Sequence, residues 1–569
     1  MSETAAGRVG VVVLLVLLAA VVVVPSLPGD PGAVRLAGVG VLWWFVACAA
    51  PLVATLTTCA FLRVPTSRSN TRTATLRAVA TWASPVVLTA VAARVFAGSP
   101  EAPVLVLSVT VAPLLALLTP SADPAPSPNR VAGLATAAAV GLVLCANLGA
   151  VADVARLAGV PRHAALTLSA ATAFLGVAWR AARRPVGDAA VLAGAAGVVL
   201  PLVVIGAVAV AVPPWTAWSR TASRPALTFG ERSAWVTDGR RLERSTTLVF
   251  TEPHRVTALN PGVYRVVEEV VEGDAPRSVT REWRLAAGEA LTLRPGDRLI
   301  LEAGTRVRFE GSKRVPGSAA SGVAWADPSE RRSLGMAAHA LGAVLTLVGG
   351  ALALLPRPRA LPWRRAVAGP LLLPALTLAA VSWGAYGVYA APELELGASP
   401  VTGLVELPAL VLPAPVGRAL VATSILALLA LFVATALALR EVIARQAGPA
   451  NADVVWGGLV MAAAVAGLWP MDPWRTWLAG CGLAAATVAA PRLAGGDSRA
   501  GLAGSLTGGA AFVGVAAVGG QLPAWAGAVA AYPALLAAPL AWMVVRAAGR
   551  RGAGAPPSEA SLWISVLAP

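Results

Sequence analysis

Five acidic residues stand in short connections between long apolar runs, where a membrane enzyme would keep a metal ligand or a general base. They are Asp30, Glu101, Glu393, Glu395 and Glu406. A lipid-linked glycosyltransferase needs such a carboxylate in an outer loop, either to coordinate a divalent metal or to act as a base. No recognisable signature surrounds any of them, and the segment PELELG is also typical of a solvated loop. A glycosyltransferase therefore stays one alternative.

Two tryptophan-rich stretches suggest a second kind of chemistry. They are WGAYGVYAAPE, from Trp383 to Glu393, and WPMDPWRTW, from Trp469 to Trp477. Both resemble fragments of the tryptophan-rich loop of the cytochrome c assembly proteins that handle haem, a loop that runs close to W-G-x-Y-W-x-W-D-P-x-E. Neither stretch holds the whole motif, because the matching residues are divided between them: Trp383, Gly384, Tyr386 and Glu393 in the first, Asp472 and Pro473 in the second.

The resemblance implies haem ligands near these stretches, since outer histidines flank the loop in that family and ligate the iron. His163 and His339 lie towards the outer ends of predicted spans, where a bis-histidine haem site could form. With Trp383 they are the candidate cofactor residues. The alternative is structural, because tryptophan is common at membrane interfaces and histidine is least costly near a helix end. We expect no cofactor, with haem as the alternative, and we predict that the third histidine, His254, is a surface residue.

Other common sites are absent from the sequence. It contains no GxSxG elbow, no phosphate-binding P-loop and no HExxH pattern. All four cysteines fall within apolar runs, so they form neither a disulfide framework nor a CxxC metal site: Cys48, Cys59, Cys145 and Cys481. We expect no metal site and no catalytic residues, and a non-enzymatic role is favoured.

The composition is that of an integral membrane protein. Hydrophobic residues make up 57% of the chain and charged residues only 13%, whereas about a quarter of a soluble protein is charged. The net charge of +16 comes mainly from arginines in short segments between apolar runs, where charge sets membrane orientation, so nucleic acid is not an expected partner. Lysine occurs once, at Lys313, and we interpret this bias as bacterial coding.

About fourteen runs meet the length of about 20 apolar residues that a spanning helix needs. The predicted spans are 9–26, 37–62, 75–97, 102–119, 131–151, 163–179, 188–213, 335–355, 366–390, 416–440, 453–470, 474–491, 500–519 and 523–547. Seven lie in an N-terminal membrane domain, residues 1–213, and seven in a C-terminal one, residues 335–569. This division also suits an inverted-repeat transporter, although the halves show no sequence similarity.

Arginine clusters in alternate connections and thereby predicts the orientation. The clusters are Arg63, Arg68, Arg72 and Arg77, then Arg180, Arg183 and Arg184, then Arg357, Arg359, Arg364 and Arg365, then Arg440 and Arg445, and finally Arg546, Arg550 and Arg551. The intervening connections AGSPEAP, APELELGASPVTGLVELPALVLPAP and GGQLPAW contain neither Arg nor Lys. By the positive-inside rule both termini are cytoplasmic, and the polar insert 214–334 faces the extracytoplasmic side.

Within the insert, residues 225–327 alternate short β-prone runs with Pro and Gly, which predicts an all-β sandwich or barrel. The stretch LTLRPGDRLILEAGTRVRFEG, from Leu291 to Gly311, predicts a β-hairpin in which Val307 and Phe309 face the core. Its turns resemble those of a cupin barrel, but Arg306 and Arg308 stand where metal-binding cupins place histidine. NPGVYRVVEEVVEGDAP predicts a second strand pair.

The predicted fold is thus an all-α polytopic membrane protein of about fourteen transmembrane helices, with one inserted all-β extracytoplasmic domain, sandwich or cupin-like barrel. We expect a bacterial plasma-membrane protein whose partners are the lipid bilayer and a protein bound through the outer domain. Span centres almost free of charge favour transport of an apolar or amphiphilic solute over an ion. A transporter or a membrane-complex subunit is the expected function.

Overall fold

The computed structural model describes most of the chain. The described residues are 3–24, 27, 34–61, 82, 84–119, 130–182, 187–231, 233–242, 245–272, 275–327, 334–355, 368–396, 400–447, 449–469, 471–495, 498–519, 522 and 526–551. Helices dominate on both sides of a smaller β-sheet region. Asp30, the Arg63–Arg77 cluster and the Arg357–Arg365 cluster lie outside the described residues.

The helices before the sheet region form from the Ala-, Val- and Leu-rich runs. They are α1 Glu3–Val23, α2 Val41–Trp44, α3 Ala50–Phe61, α4 Pro85–Phe96, α5 Ala102–Leu118, α6 Arg130–Ala155, α7 Arg162–Ala182, α8 Gly187–Ala211, α9 Pro214–Ala222 and α10 Ala234–Thr237. A π-helical segment, Phe45–Ala49, joins α2 to α3, and two short strands, β1 Arg35–Leu36 and β2 Val39–Gly40, precede α2.

The helices after the sheet strands have the same composition. They are α11 Gly322–Ala326, α12 Leu334–Leu354, α13 Ala368–Ala390, α14 Pro400–Val411, α15 Ala414–Ala447, α16 Pro449–Ala466, α17 Pro473–Ala484, α18 Ala490–Ala494, α19 Ser498–Val518, α20 Gly527–Ala531 and α21 Ala534–Arg551. A second π-helical segment, Ala485–Ala489, joins α17 to α18. The short helix α14 lies in what the sequence predicts as an irregular connection.

In the described part of the chain, eight helices are long and apolar enough to cross a membrane. They are Val41–Phe61, Arg130–Ala158, Ala193–Ala211, Ala337–Leu354, Leu372–Ala390, Ala414–Ala444, Pro473–Ala494 and Arg499–Val518. Each coincides with a predicted span, as expected for a multi-pass membrane protein. Six shorter apolar helices accompany them, one of them Thr402–Val411, which no predicted span covers. The count of fourteen spans is not confirmed.

In the described part of the chain, seven antiparallel strands form the β-sheet region, in two sheets. The strands are β3 Thr246–Val249, β4 His254–Ala258, β5 Gly262–Glu272, β6 Ala275–Leu285, β7 Ala290–Leu293, β8 Arg298–Leu301 and β9 Val307–Glu310. One sheet has the order β3-β8-β5-β6 and the other the order β7-β4-β9. The sheets share one apolar core, to which the first contributes Tyr264 and Leu299 and the second Val256 and Phe309. A β-sheet region is present where the sequence predicts one, although the helices α10 and α11 also lie within residues 225–327, and a cupin-like barrel is not confirmed.

The predicted hairpin between Leu291 and Gly311 is wrong. β7 pairs with β4, whereas β8, which follows it after the RPGD turn, pairs with β3 and β5 in the other sheet. The turn therefore carries the chain between the sheets. The predicted alternation is confirmed in β9, because Val307 and Phe309 are buried while Arg308 and Glu310 are half-buried. The second predicted pair is one long strand, β5, which forms a true hairpin with β6.

His254 is not a surface residue, so that prediction is wrong as well. Its side chain is only 2% exposed. Its Nδ1 lies 2.9 Å from the carbonyl oxygen of Glu252 and its Nε2 lies 2.9 Å from that of Arg314. The ring also packs edge-on against Phe250, with centroids 5.1 Å apart. The histidine therefore fastens β4 to the chain that follows β9.

Candidate functional site

The chain enters and leaves the β-sheet region at one place, because the two short helices that flank it pack together. The backbone N–H of Gly322, the first residue of α11, donates to the carbonyl oxygen of Arg224, just after α9, at 2.9 Å. The hydroxyl of Ser321 caps α11 by accepting from the Ala324 N–H. Thr221 closes its own turn of α9 with a hydrogen bond to Ala217. The contact between α9 and α11 thus closes the base of the sheet region, and these two helices are called the foot below.

Three buried tryptophans, here called the tryptophan cluster, fix this foot to the membrane helices. Trp218 of α9 lies between Trp43 of α2 and Trp325 of α11, with ring centroids 5.1 and 4.7 Å away. The indole N–H of Trp43 donates to the carbonyl oxygen of Ala326 at 3.0 Å. That of Trp325 donates to the carbonyl oxygens of Val95 and Phe96, each at 3.1 Å. Hydrogen bonds therefore join α11 to the helical bundle, and the packing of Trp218 on Trp43 joins α9 to it.

The stretch from Trp383 to Glu393 makes the next set of contacts. It forms the last turns of α13 and the 3₁₀ turn Pro392–Leu396. The hydroxyl of Tyr386 donates to the carbonyl oxygen of Val212 at 2.6 Å, just before α9. The guanidinium of Arg224 lies 5.5 Å above the ring of Tyr389 and donates to its carbonyl oxygen at 2.9 Å. This stretch therefore binds the segment through which the chain enters the sheet region.

Two glycines of the stretch allow helices to approach closely. A Cβ atom at Gly384 would lie 2.5 Å from the carbonyl oxygen of Ala92, and one at Gly387 would lie 2.6 Å from the ring of Phe96. Such spacing leaves no room for a side chain, which explains both glycines by packing of α13 on α4. Trp383 is almost wholly buried there.

Glu393 is a buried acidic side chain within the junction. Its side chain is 7% exposed, and its Oε2 accepts a hydrogen bond from the backbone N–H of Gly230 at 3.3 Å. Burial raises the pKa of Glu393, while backbone N–H groups and the charges of Arg240 and Arg224 partly oppose that shift. A carboxylate held between a backbone amide and two arginines fits a structural contact better than a general base.

Two further contacts complete the junction between α13–α14 and the sheet region. Arg240, which follows α10, forms an ion pair with Glu406 of α14 at 3.2 Å. Leu396 inserts into the apolar core that the two sheets share. We define the junction as the tryptophan cluster together with the contacts that residues 383–406 make with the sheet region and with the segments that flank it. Of the five candidate acids, it contains Glu393 and Glu406. The side chain of Glu395 lies outside the described residues.

The histidines proposed as haem ligands lie on helices with different principal neighbours. His163 is exposed at the start of α7, which packs on α6, α15 and α16. The neighbouring Arg162 binds Asp153 and donates to the carbonyl oxygen of Gly467 at 2.8 Å. His339 is half-buried on α12, and its ring meets Tyr532 edge-on at 6.2 Å. The haem site of His163, His339 and Trp383 therefore stays a prediction.

The second tryptophan-rich stretch serves as a helix start. Oδ1 of Asp472 accepts from the backbone N–H groups of Trp474 and Arg475, so Asp472 caps α17, and Pro473 occupies the first helical position. Trp477 stacks on Trp474 and meets Trp82 edge-on at 5.2 Å. Capping and packing therefore account for this stretch.

Sequence reasoning missed most of the junction. Trp43, Trp218 and Trp325 are far apart in the chain, and no local pattern indicates that they meet. The available signal was the pair of tryptophans three residues apart in PPWTAW, which places Trp215 and Trp218 on one side of a short interfacial helix.

The described residues contain no group of three or more His, Cys, Asp or Glu side chains able to hold a metal.

No family model matches the chain, and no curated protein matches it either. The geometry of the junction therefore carries the functional conclusion.

Proposed function

We propose that this chain is a subunit of a bacterial plasma-membrane complex, which holds its β-sheet region on the extracytoplasmic side to dock a partner protein. In this proposal it has about fourteen spans with both termini in the cytoplasm, and residues 214–334 face outwards. The distribution of arginine among the connections supports the orientation.

The observation that carries the proposal is the attachment of the sheet region at several points. The tryptophan cluster fastens both ends of the region, and Glu393 and Arg240 add polar contacts at separate positions. A domain that only binds a soluble ligand does not need attachment at several points, since a flexible linker is enough. A surface held in one orientation lowers the ordering cost when a partner binds, which favours a docking role.

Co-purification from native membranes tests this function. Full-length tagged protein in mild detergent is expected to carry a stoichiometric partner. The Trp218→Ala/Trp325→Ala double variant, which releases the foot, is expected to lose it. Trp215→Ala is the matched control, since this tryptophan of the same helix is 54% exposed. A wild-type chain that purifies alone from its own membrane contradicts the proposal, provided that circular dichroism shows native helical content.

Cysteine labelling tests the orientation separately. In a background without the four native cysteines, Thr292→Cys on β7 is expected to react with a membrane-impermeant maleimide in intact cells. Arg499→Cys, at the start of α19, is expected to react only after the membrane is permeabilised. Both side chains are exposed, so access to the reagent decides the result. Reversed labelling would invert the proposed topology.

A second candidate function is transport of an uncharged or amphiphilic solute, and neutral buried polar groups favour it. The hydroxyls of Thr110 on α5 and Thr377 on α13 lie 2.6 Å apart inside the bundle. In the described part of the chain, Ser108 Oγ and Trp383 Nε1 are buried without a hydrogen-bond partner. Buried polar groups left without partners carry a free-energy cost and are candidates for contact with a solute.

The charged side chains of the described residues agree with a neutral cargo. Those that are buried are Asp153, Glu393 and Arg440. Asp153 is bound to Arg162 and Arg440 to Asp453, both near helix ends.

A strain that lacks the gene is expected to accumulate the solute on one side of the membrane. Thr167→Val, at an exposed position of α7, should restore transport, whereas Thr110→Val/Thr377→Val should not. Equal rescue by both would contradict transport along this path.

A further inference from the structure

Among the described strands, β6 has a long edge that pairs with no other strand. It lies at the end of the four-stranded sheet, and all of its residues from Ala275 to Leu285 pair with β5 on one side. β5 in turn pairs with β8 only from Tyr264 to Val267. The outer half of the β5–β6 hairpin therefore extends beyond the sheet. Beyond Pro276, which has no backbone N–H, the other side of β6 presents a row of backbone N–H and C=O groups, which is a template for a further strand.

The other edge of the same sheet is protected in the usual way. It is β3, which has only 4 residues, and short edge strands are a common defence against unwanted pairing. β6 has 11 residues, and its side chains from Thr280 to Arg284 are all exposed. Trp283 among them is 41% exposed. Tryptophan is enriched at the centre of protein interfaces relative to the rest of the surface.

The charge along β6 selects the kind of strand that can join it. The described side chains of β6 include Arg281 and Arg284 against one acidic residue, Glu282. Glu282 already accepts a hydrogen bond from Arg265 of β5 at 2.6 Å. Because cross-strand neighbours of like charge repel, two copies of this basic edge are poorly suited to pair with each other. A strand rich in Asp and Glu is well suited.

We propose that β6 is a docking site for an extended acidic segment of a partner protein, which adds to the sheet as a further strand and packs on the indole of Trp283. This inference rests on the proposed docking function and names the surface and the chemistry of the partner. Backbone hydrogen bonds give affinity in this mode of recognition, and alternate side chains give specificity.

Synthetic peptides of about ten residues test it against the full-length protein in nanodiscs. One alternates Glu and Val, one alternates Lys and Val, and the third is the Glu peptide with alternate backbone amides methylated. Fluorescence anisotropy should show binding of the first peptide, about tenfold weaker binding of the methylated one, and none of the Lys peptide. Amide hydrogen exchange along β6 should slow when the Glu peptide is present.

Matched variants locate the binding. Arg281→Glu/Arg284→Glu and Trp283→Ala should each weaken the Glu peptide about tenfold. Arg255→Glu is the control, because this arginine is exposed on β4, in the middle of the other sheet, and should leave binding unchanged. Arg281 lies 3.6 Å from Glu268, so the double variant could disturb the hairpin. Trp283→Ala and the exchange data on the unaltered protein stand independently of it.

Several results would overturn the inference. They are equal binding of the methylated peptide, equal binding by the β6 variants, no binding of the Glu peptide, and protection of β6 that rises with protein concentration alone. The last would assign the edge to a second copy of the chain. A native complex that survives the β6 variants would refute this inference and leave the proposed docking function standing. A chain that carries no partner in its native membrane would refute that function, whatever the peptides do.

Discussion

Gly322 packs directly on the carbonyl group of Thr221, so closely that a Cβ atom at position 322 would lie 1.9 Å from the carbonyl oxygen and 3.0 Å from that of Arg224. These residues end α9 and begin α11, and they are separated along the chain by the whole β-sheet region. Their contact is what brings the two ends of that region together at the membrane helices.

Gly322→Ala is therefore expected to destabilise the junction. The methyl group must push α9 and α11 apart, at a cost of about 1–3 kcal/mol for an overpacked site. Thermal unfolding in detergent and proteolysis within residues 214–334 both report the change. Gly458→Ala on α16 is the matched control, because a Cβ atom there meets nothing within 4 Å. It should be neutral or stabilising by up to about 1 kcal/mol, since Ala favours a helix over Gly. Equal stability of the two variants would contradict the proposed role of Gly322.

Trp325→Phe tests the polar part of the tryptophan cluster. Phenylalanine keeps an aromatic ring beside Trp218 but cannot donate to the carbonyl oxygens of Val95 and Phe96. The expected loss is about 1 kcal/mol, with faster hydrogen exchange at the junction. Trp215→Phe, at an exposed position of the same foot, should change neither measurement. If Trp325→Phe is as stable as Trp215→Phe and shows the same hydrogen exchange, ring packing and not hydrogen bonding stabilises the tryptophan cluster.

His254→Leu tests the buried histidine. Leucine fits an apolar core but leaves the carbonyl oxygens of Glu252 and Arg314 without the imidazole that both now face. We expect a loss of about 1–3 kcal/mol in the unfolding of the sheet region, which chemical denaturation measures. His163→Leu exchanges the same residues at an exposed position and should leave unfolding unchanged. A stable His254→Leu protein would show that apolar packing compensates for the lost contacts.

The sequence predicted the elements of the fold better than their partners. Eight apolar runs form the long helices where predicted, and Val307 and Phe309 face the core because burial follows a local alternation. The partner of β7 is β4, which lies about 35 residues earlier in the chain, and no local signal distinguishes it from the adjacent β8. The turn RPGD permits a hairpin but does not require one.

The junction was harder to predict for the same reason. Glu393 and Trp383 stood out as residue types that could do chemistry, yet their roles depend on Gly230 and on α4, which are distant in sequence. His254 was mistaken for a surface residue because its polar neighbours in TEPHRV suggest a loop. Its burial depends on the carbonyl oxygen of Arg314, 60 residues away. Contacts between segments that are distant in the sequence produce no periodic pattern of residues from which they could be predicted.

The pH dependence of stability is expected to identify the role of Glu393. Its pKa is raised above the ordinary 4.5, chiefly by burial, so the folded state binds the proton more tightly than the unfolded chain does. The stabilisation that this group contributes is therefore fully present below about pH 4.5 and is lost as the pH rises through the raised pKa. Glu393→Gln keeps an oxygen for the Gly230 N–H and has no proton to lose.

Glu393→Gln should accordingly match the wild type near pH 4 and exceed it in unfolding free energy near pH 8, where the wild type must bury a charge. Glu406→Gln is the matched control, because it removes the partly exposed ion pair with Arg240. That variant should be equal to the wild type or slightly less stable near pH 8, by about 0–1 kcal/mol, as for other surface pairs. Denaturant titrations of the three proteins at both pH values give the comparison. If Glu393→Gln is the less stable protein near pH 8, the attraction of Arg224 and Arg240 outweighs burial, and the junction depends on the charge of this carboxylate.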